Sequence, residues 1–217
     1  MMKGIAKKLF SRFLMIYATL GLLLCSISAA AENPVILLKT EKGDITIQLF
    51  PKLAPESVNN FINLVNSYHY DGLVFHRVIN GFMIQTGGFS FDMTPRDPNA
   101  PDIVNEASNG LKNKRGMVAL ARGDHPDSAC AQFFINHRDN PSLDATKKQA
   151  GYAVFGEVVS GMHVVDSIAK VSTGAYGIHM DVPLKPIRIL SAKMLTPKVW
   201  ESPQPQELSF ERPVPVY

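Results

Sequence analysis

The segment FHRVINGFMIQTGGFS (residues 75–90) sets one guanidinium, Arg77, and one carboxamide, Gln85, among aromatic and apolar side chains around an Asn-Gly pair. It holds no Ser–His pair at hydrogen-bond spacing, no second carboxylate and no cluster of metal ligands, so the usual constellations for acyl transfer, paired-carboxylate catalysis and metal-assisted hydrolysis are missing. The chemistry left to it is that of a cation placed over an apolar surface. The plainer alternative is a hairpin with a solvated Arg on it.

Asn80-Gly81 between two apolar runs is a strong hairpin signal, and loop length decides which side chains the hairpin displays. A two-residue turn would pair Ile79 with Phe82 and set Arg77 against Ile84. A three-residue loop, Asn80-Gly81-Phe82, pairs Ile79 with Met83, Val78 with Ile84 and Arg77 with Gln85. The second register sorts the chemistry. Phe75, Arg77, Ile79, Met83 and Gln85 then share one face, Val78 and Ile84 share the other, and Phe82 stands at the rim. A slip of one residue would scatter these groups, so the three-residue loop is expected.

The elements that must carry this hairpin are mostly strands. VILLKTEKGDITIQLF (35–50) reads as two strands joined by Glu41-Lys42-Gly43, with Ile45, Ile47 and Leu49 alternating. Further strands are expected at 73–79, 83–86, 117–121, 132–136, 152–159 and 184–195. Only two helices are convincing. One spans 55–68, with Val58, Phe61, Ile62 and Val65 at helical spacing behind Pro55; the other spans 162–171. Short antiparallel strands separated by Gly, Pro and Asn, with two helices to cap open ends or cover edges, indicate an all-β barrel or sandwich.

Lys3, Lys7, Lys8 and Arg12 precede an uncharged run, FLMIYATLGLLLC (13–25), and small residues at Ala29 and Ala31 follow, the pattern of a secretory signal peptide cut near Ala31. The alternative is an uncleaved anchor, because the 19 uncharged residues from Phe13 to Ala31 are enough to span a bilayer. A lipoprotein site at Cys25 would require a small residue where Leu24 stands. The domains are therefore 1–31 (signal peptide), 32–196 (folded domain) and 197–217, a Pro-rich tail with five Pro in 21 residues that is expected to be extended and mobile.

Without the leader the charge balance reverses. The full chain has 22 basic and 19 acidic side chains; the leader holds 4 basic and no acidic ones, leaving 18 against 19, a net of −1. Nothing then favours a nucleic-acid partner. Removal of Cys25 leaves Cys130 as the single thiol, so no internal disulfide can form and a core must supply stability. Cys130 is expected to be a packed thiol. His69, His76, His125, His137, His163 and His179 show no metal-ligand spacing, and neither a metal nor another cofactor is expected. His76 should point away from the face of Arg77. The loop trio His125, Asp127 and Ser128 has nothing to arrange it as a triad.

Taken in order and spacing, FHRVINGFMIQTGG, GMVALAR (116–122), QFFI (132–135) and VFGEVVSGM (154–162) resemble the cyclophilin family of peptidyl-prolyl isomerases. MVALAR, GYAVFG and LSAKML point to its exported bacterial branch. The resemblance runs over about residues 35–195. It implies a closed eight-stranded antiparallel β-barrel capped by two helices, and an enzyme that rotates X–Pro bonds in proline-containing polypeptides during the folding of exported proteins. It would act in the periplasm as a monomer, without contact to a membrane after leader cleavage. The alternative is a chaperone or assembly factor that grips Pro segments with incidental catalysis.

The barrier to X–Pro rotation is about 18–20 kcal/mol. Uncatalysed exchange takes roughly 10–100 s, and reaching about 10–10³ turnovers per second needs only roughly 3–7 kcal/mol of help. The absence of a nucleophile is therefore expected. By resemblance Arg77 and Gln85 are the catalytic residues: Arg77 hydrogen-bonds the prolyl nitrogen as it pyramidalises, and Gln85 orients Arg77 and contacts substrate backbone. Phe82, Met83, Phe134 and Leu143 would line the proline pocket. Gln132 and the main chain of Ala121 and Arg122 would meet substrate backbone. Side chains alternate in QFFI, so Phe133 is assigned to the interior.

Three positions depart from many eukaryotic cyclophilins: Ser142 stands where they have Trp, Tyr152 where they have His, and Arg122 where they have Asn. The first implies weak inhibition by cyclosporin. The last adds a second cation near the groove, which would favour acidic substrates.

Overall fold

Residues 33–195 are described in the computed structural model. The leader and the Pro-rich tail expected from the sequence lie outside these residues. β1 (Val35–Thr40) and β2 (Gly43–Leu49) pair through a tight turn, with Ile36 opposite Ile47 and Leu38 opposite Ile45. These four side chains are fully buried, the outcome that alternation demands when one face of a strand meets the core. β3 (Arg77–Ile79) and β4 (Met83–Thr86) form the hairpin, followed by β5 (Met117–Leu120), β6 (Phe133–Asn136) and β7 (Val154–Ser160). A smaller two-stranded sheet, β8 (Thr173–Tyr176) and β9 (His179–Pro183), precedes β10 (Ile189–Met194).

The eight other strands form one sheet in the order β10-β1-β2-β7-β5-β6-β4-β3. All of its pairings are antiparallel. The mostly β architecture with two helices expected from the sequence is what forms. The sheet is a half-barrel that curls through 224°. Its end strands β3 and β10 are not laddered together. The chain just before β3 meets the first residue of β10 and the two residues ahead of it, through a single bridge between Val74 and Arg188 and bonds from Phe75 N to Ile187 O (3.0 Å) and from Ile189 N to Leu73 O (2.8 Å).

Two α-helices flank this sheet, as the spacing of apolar residues indicates. α1 (Pro55–Asn66) begins with Pro at its first turn, where a missing N–H is harmless. Its free N–H groups are met from a distance: the Glu106 carboxylate accepts from Glu56 N (3.1 Å), Ser57 N (2.8 Å) and Ser57 Oγ (2.6 Å). Phe61 carries the helix into the core, edge-on to Phe133 with ring centroids 5.2 Å apart and close to Tyr70 and Phe155. α2 (Met162–Ala169) buries Val164, Val165 and Ile168 in the same core.

Two local expectations fail. The strand expected over 73–79 is regular only from Arg77, so alternation does not reach back to Phe75. Phe75 is fully buried in the main core with Val78 and Ile84, on the side away from Arg77. The hairpin β8–β9 stands where no element is expected between the helix at 162–171 and the strand at 184–195, and that last strand is regular only from Ile189.

Candidate active site

The β3–β4 hairpin adopts the three-residue loop. Arg77 lies opposite Gln85, Val78 opposite Ile84 and Ile79 opposite Met83. Phe82 N donates to Ile79 O at 3.0 Å, and Gly81 sits at φ +72 in that turn, a conformation open to glycine at little cost. Val78 and Ile84 enter the main core, while Met83 packs with Ala119, Phe134 and Val154 in a second cluster that Ile79, Phe82, Leu143 and Tyr152 border. Phe133 faces the interior and Phe134 the second cluster, as the alternation in β6 requires.

This second cluster floors a cleft of about 350 Å³, lined by Arg77, Phe82, Met83, Gln85, Ala121, Arg122, Gln132, Phe134, Leu143 and Tyr152. All ten residues singled out in the sequence are thus brought together. Three more line it that were not: His76, Phe89 and His179.

Gln85 Nε2 donates to Gln132 Oε1 at 2.9 Å, tying β4 to the entry of β6. Gln85 is therefore across the strand from Arg77, but its amide nitrogen is engaged with Gln132. The ionic neighbour of Arg77 is Asp181 on β9, with Oδ2 3.7 Å from Nε. Arg122 stacks over Tyr152, its Cζ 4.8 Å from the ring centroid, and donates from Nε to Gly151 O (3.1 Å) and from Nη1 to Gly123 O (2.8 Å). The second cation is thereby pinned along the wall of the cleft. Tyr152 meets Phe134 edge-on at 5.7 Å. The N–H of Ala121 is committed to Gln132 O at 2.9 Å, which leaves its carbonyl as the main-chain group on offer.

Polar side chains hold this apolar floor in place. Asn113, Asn136 and Asn140 are each 2% exposed or less. Asn140 Nδ2 donates to Phe82 O (2.9 Å) and to Asn136 Oδ1 (2.7 Å), Asn136 Nδ2 to Asn113 Oδ1 (3.2 Å), and Asn113 Nδ2 to Leu143 O (3.2 Å). One amide chain thus fixes both Phe82 and Leu143. From the other side, Gly81 N donates to His137 Nδ1 at 3.0 Å, and His137 Nε2 meets Asp166 Oδ1 at 3.0 Å on α2. Burial pushes the Asp166 carboxyl up, but the paired Arg115 and the adjacent His137 outweigh it and hold the group below its ordinary value.

His76 corrects its expectation. It is 5% exposed and borders the cleft beside Arg77, its ring 4.7 Å from Phe89. Its Nδ1 has no hydrogen-bond partner. Burial drives its pKa down to about 4, against weaker opposition from the nearby Gln132 amide. Cys130 is a half-buried thiol that donates to Ala100 O at 3.4 Å, and burial raises its pKa. In the loop trio, Ser128 Oγ donates to the carbonyl of His125 (2.7 Å) and not to its ring, a turn-stabilising bond.

Residues 35–194 match the model of the cyclophilin-type peptidyl-prolyl cis-trans isomerase family. The chain belongs to that family. A peptidyl-prolyl cis-trans isomerase of Acinetobacter baylyi is 51% identical over 175 residues, covering 81% of this chain and 92% of that one. Peptidyl-prolyl cis-trans isomerase B of Escherichia coli is 49% identical over 160 residues, 72% and 97% of the two chains. Among solved structures, a cyclophilin-type isomerase of Cryptosporidium parvum superimposes with a TM-score of 0.64 at 23% identity, over 76% of this chain and 98% of its own, a likeness of fold. This cyclophilin is an isomerase, with the mostly β fold and two helices of its family. No helix among its described residues is long and apolar enough to cross a membrane.

Proposed function

We propose that this cyclophilin accelerates X–Pro rotation in exported polypeptides as they fold, with Arg77 as the group that lowers the barrier. The observation that carries the reading is the pairing of Arg77 with Gln85 at the edge of an apolar cleft floored by Met83, Phe134 and Leu143. A prolyl ring fits such a floor by burial alone. Rotation removes amide resonance and leaves a lone pair on the prolyl nitrogen. The Arg77 guanidinium donates to that lone pair, a bond that exists in the twisted state and hardly at all in the planar one, so it raises the rate and not merely the affinity. A dry floor strengthens the interaction. Gln85, linked to Gln132, presents amides to the substrate backbone beside the proline, together with the carbonyl of Ala121.

The reaction needs neither a covalent intermediate nor a cofactor. Partners are proline-containing polypeptides in extended form. The net charge of −1 after the leader gives no attraction to nucleic acid. The leader motif over 1–31 supports export to the periplasm, with the domain working as a monomer free of the membrane.

The same cleft would hold Pro segments without turning them over, which is the chaperone reading. Isomerisation of an X–Pro peptide, followed with protein lacking residues 1–31, separates the two: turnover well above the spontaneous rate is expected, and binding without acceleration would leave only a Pro-binding module. Fractionation of cells expressing the full chain tests export, since recovery with the cytoplasmic fraction would defeat it. Ser142 in place of Trp carries the expectation of weak cyclosporin inhibition, and a nanomolar response of the purified domain would contradict it.

A further inference from the structure

We propose that Asp181 is a positioning residue for Arg77, and that the β8–β9 hairpin exists at this point of the fold to deliver it. The proposal rests on the catalytic role of Arg77 given above. Tyr176 pairs with His179 and Gly174 with Val182, so two residues of β9, Met180 and Asp181, oppose the single residue Ala175. That is a β-bulge, a device that re-aims a side chain. Asp181 sits in it at φ +61, a left-handed conformation that side chains other than Asn and Asp rarely accept. The bulge brings its carboxylate to Arg77, with Oδ2 3.7 Å from Nε.

The hairpin is seated against the wall of the cleft. Val182 packs with Val74, Met93 and Phe89, and the His179 ring lies 4.9 Å from Phe89. The two charged side chains remain 45% and 39% exposed. A pair that open adds little to stability, so stability gives no reason for a left-handed aspartate here. Orientation does. Gln85, the cross-strand neighbour of Arg77, has its amide nitrogen engaged with Gln132, so the carboxylate that faces the guanidinium is that of Asp181. Its closest approach is to the Nε edge, which restrains the head group while the terminal nitrogens stay available to substrate.

Asp181→Asn tests this cleanly because Asn has the same shape and tolerates the same backbone. Asp181→Gly is the companion, keeping the conformation while deleting the side chain. In an X–Pro exchange assay both should lower kcat by roughly three- to fivefold, the range open to a half-exposed charge pair, with KM and melting temperature unchanged. High salt should bring the wild type toward the Asn variant and leave that variant unaffected. In an Arg77→Ala background, Asp181→Asn should have no further effect on the residual rate. An equal fold-loss with and without Arg77, or a change in KM alone, would overturn the proposal in favour of a direct client contact. Wild-type kcat in Asp181→Asn alongside a large loss in Arg77→Ala would overturn it while sparing the role of Arg77. No loss in Arg77→Ala would remove both.

Discussion

At the scale of the residue, Arg77 has Asp181 as its carboxylate neighbour and stands beside the buried imidazole of His76, with Arg122 a second cation along the wall of the cleft. The imidazole makes a prediction of its own. His76 titrates near pH 4 when folded and near 6.5 when unfolded. A base with a depressed folded pKa takes its proton on unfolding, so its contribution is fully present above pH 6.5 and lost as the pH falls toward 4. The loss amounts to about 3 kcal/mol at most. Urea unfolding at pH 7 and pH 4.5 should show this slope in the wild type and a flatter one in His76→Gln; parallel slopes would mean that His76 is not the group responsible. Residue-level reading from sequence succeeded where alternation was unbroken. Phe133 and Phe134 fall on opposite sides because β6 is regular. Phe75 and His76 depart from the expected faces because they precede the first regular residue of β3, where strict alternation no longer holds.

At the scale of the element, the hairpin depends on clamps from three other segments. Asn140 donates to Phe82 O and to Asn136 Oδ1, both from a site 2% exposed. Asn140→Ala leaves Asn136 Oδ1 short of a partner and removes one of the two donors to Phe82 O, the other being His137 N, so the loop is loosened. It should cost about 1–3 kcal/mol in denaturant unfolding and raise KM more than it lowers kcat, because the floor and not the cation is disturbed. An unchanged KM would show that the amide chain does not hold Phe82 in its working place. The clamps were not legible in the sequence. Asn-Gly announces its own turn through local conformational preference, whereas Asn113, Asn136, Asn140 and His137 acquire partners only when distant turns converge. The β8–β9 hairpin was hidden for a related reason. Its outward residues Tyr176, Ile178 and Met180 are apolar and exposed while Asp181 and His179 face the site, so neither alternation nor polarity marked the strands.

At the scale of the whole molecule, a half-barrel sheet with α1 and α2 packed into one aromatic core supplies a rigid support, and the chemistry is confined to one sheet edge and the strands beside it. Cyclophilin membership was legible because its motifs span the domain in order; the 224° curl of the sheet was not, since it depends on how two end strands approach and not on either strand alone. The Pro-rich segment 197–217 follows β10 in the sequence, and every residue lining the cleft comes before it. Deleting 197–217 should therefore leave peptide turnover within about twofold and the melting temperature unshifted; a large loss would bring the tail into the site.

The central claim is that a placed cation, with no nucleophile, turns the prolyl bond. NMR exchange on a single X–Pro peptide, with rate and Kd measured for wild type and for Arg77→Ala, tests it most directly. The rate should fall by about 10²-fold or more, the cost of removing a donor aimed at the transition state, while Kd changes by only a few fold because Phe82, Met83, Phe134 and Leu143 still hold the ring. Equal rates, or a loss wholly in Kd, would contradict it.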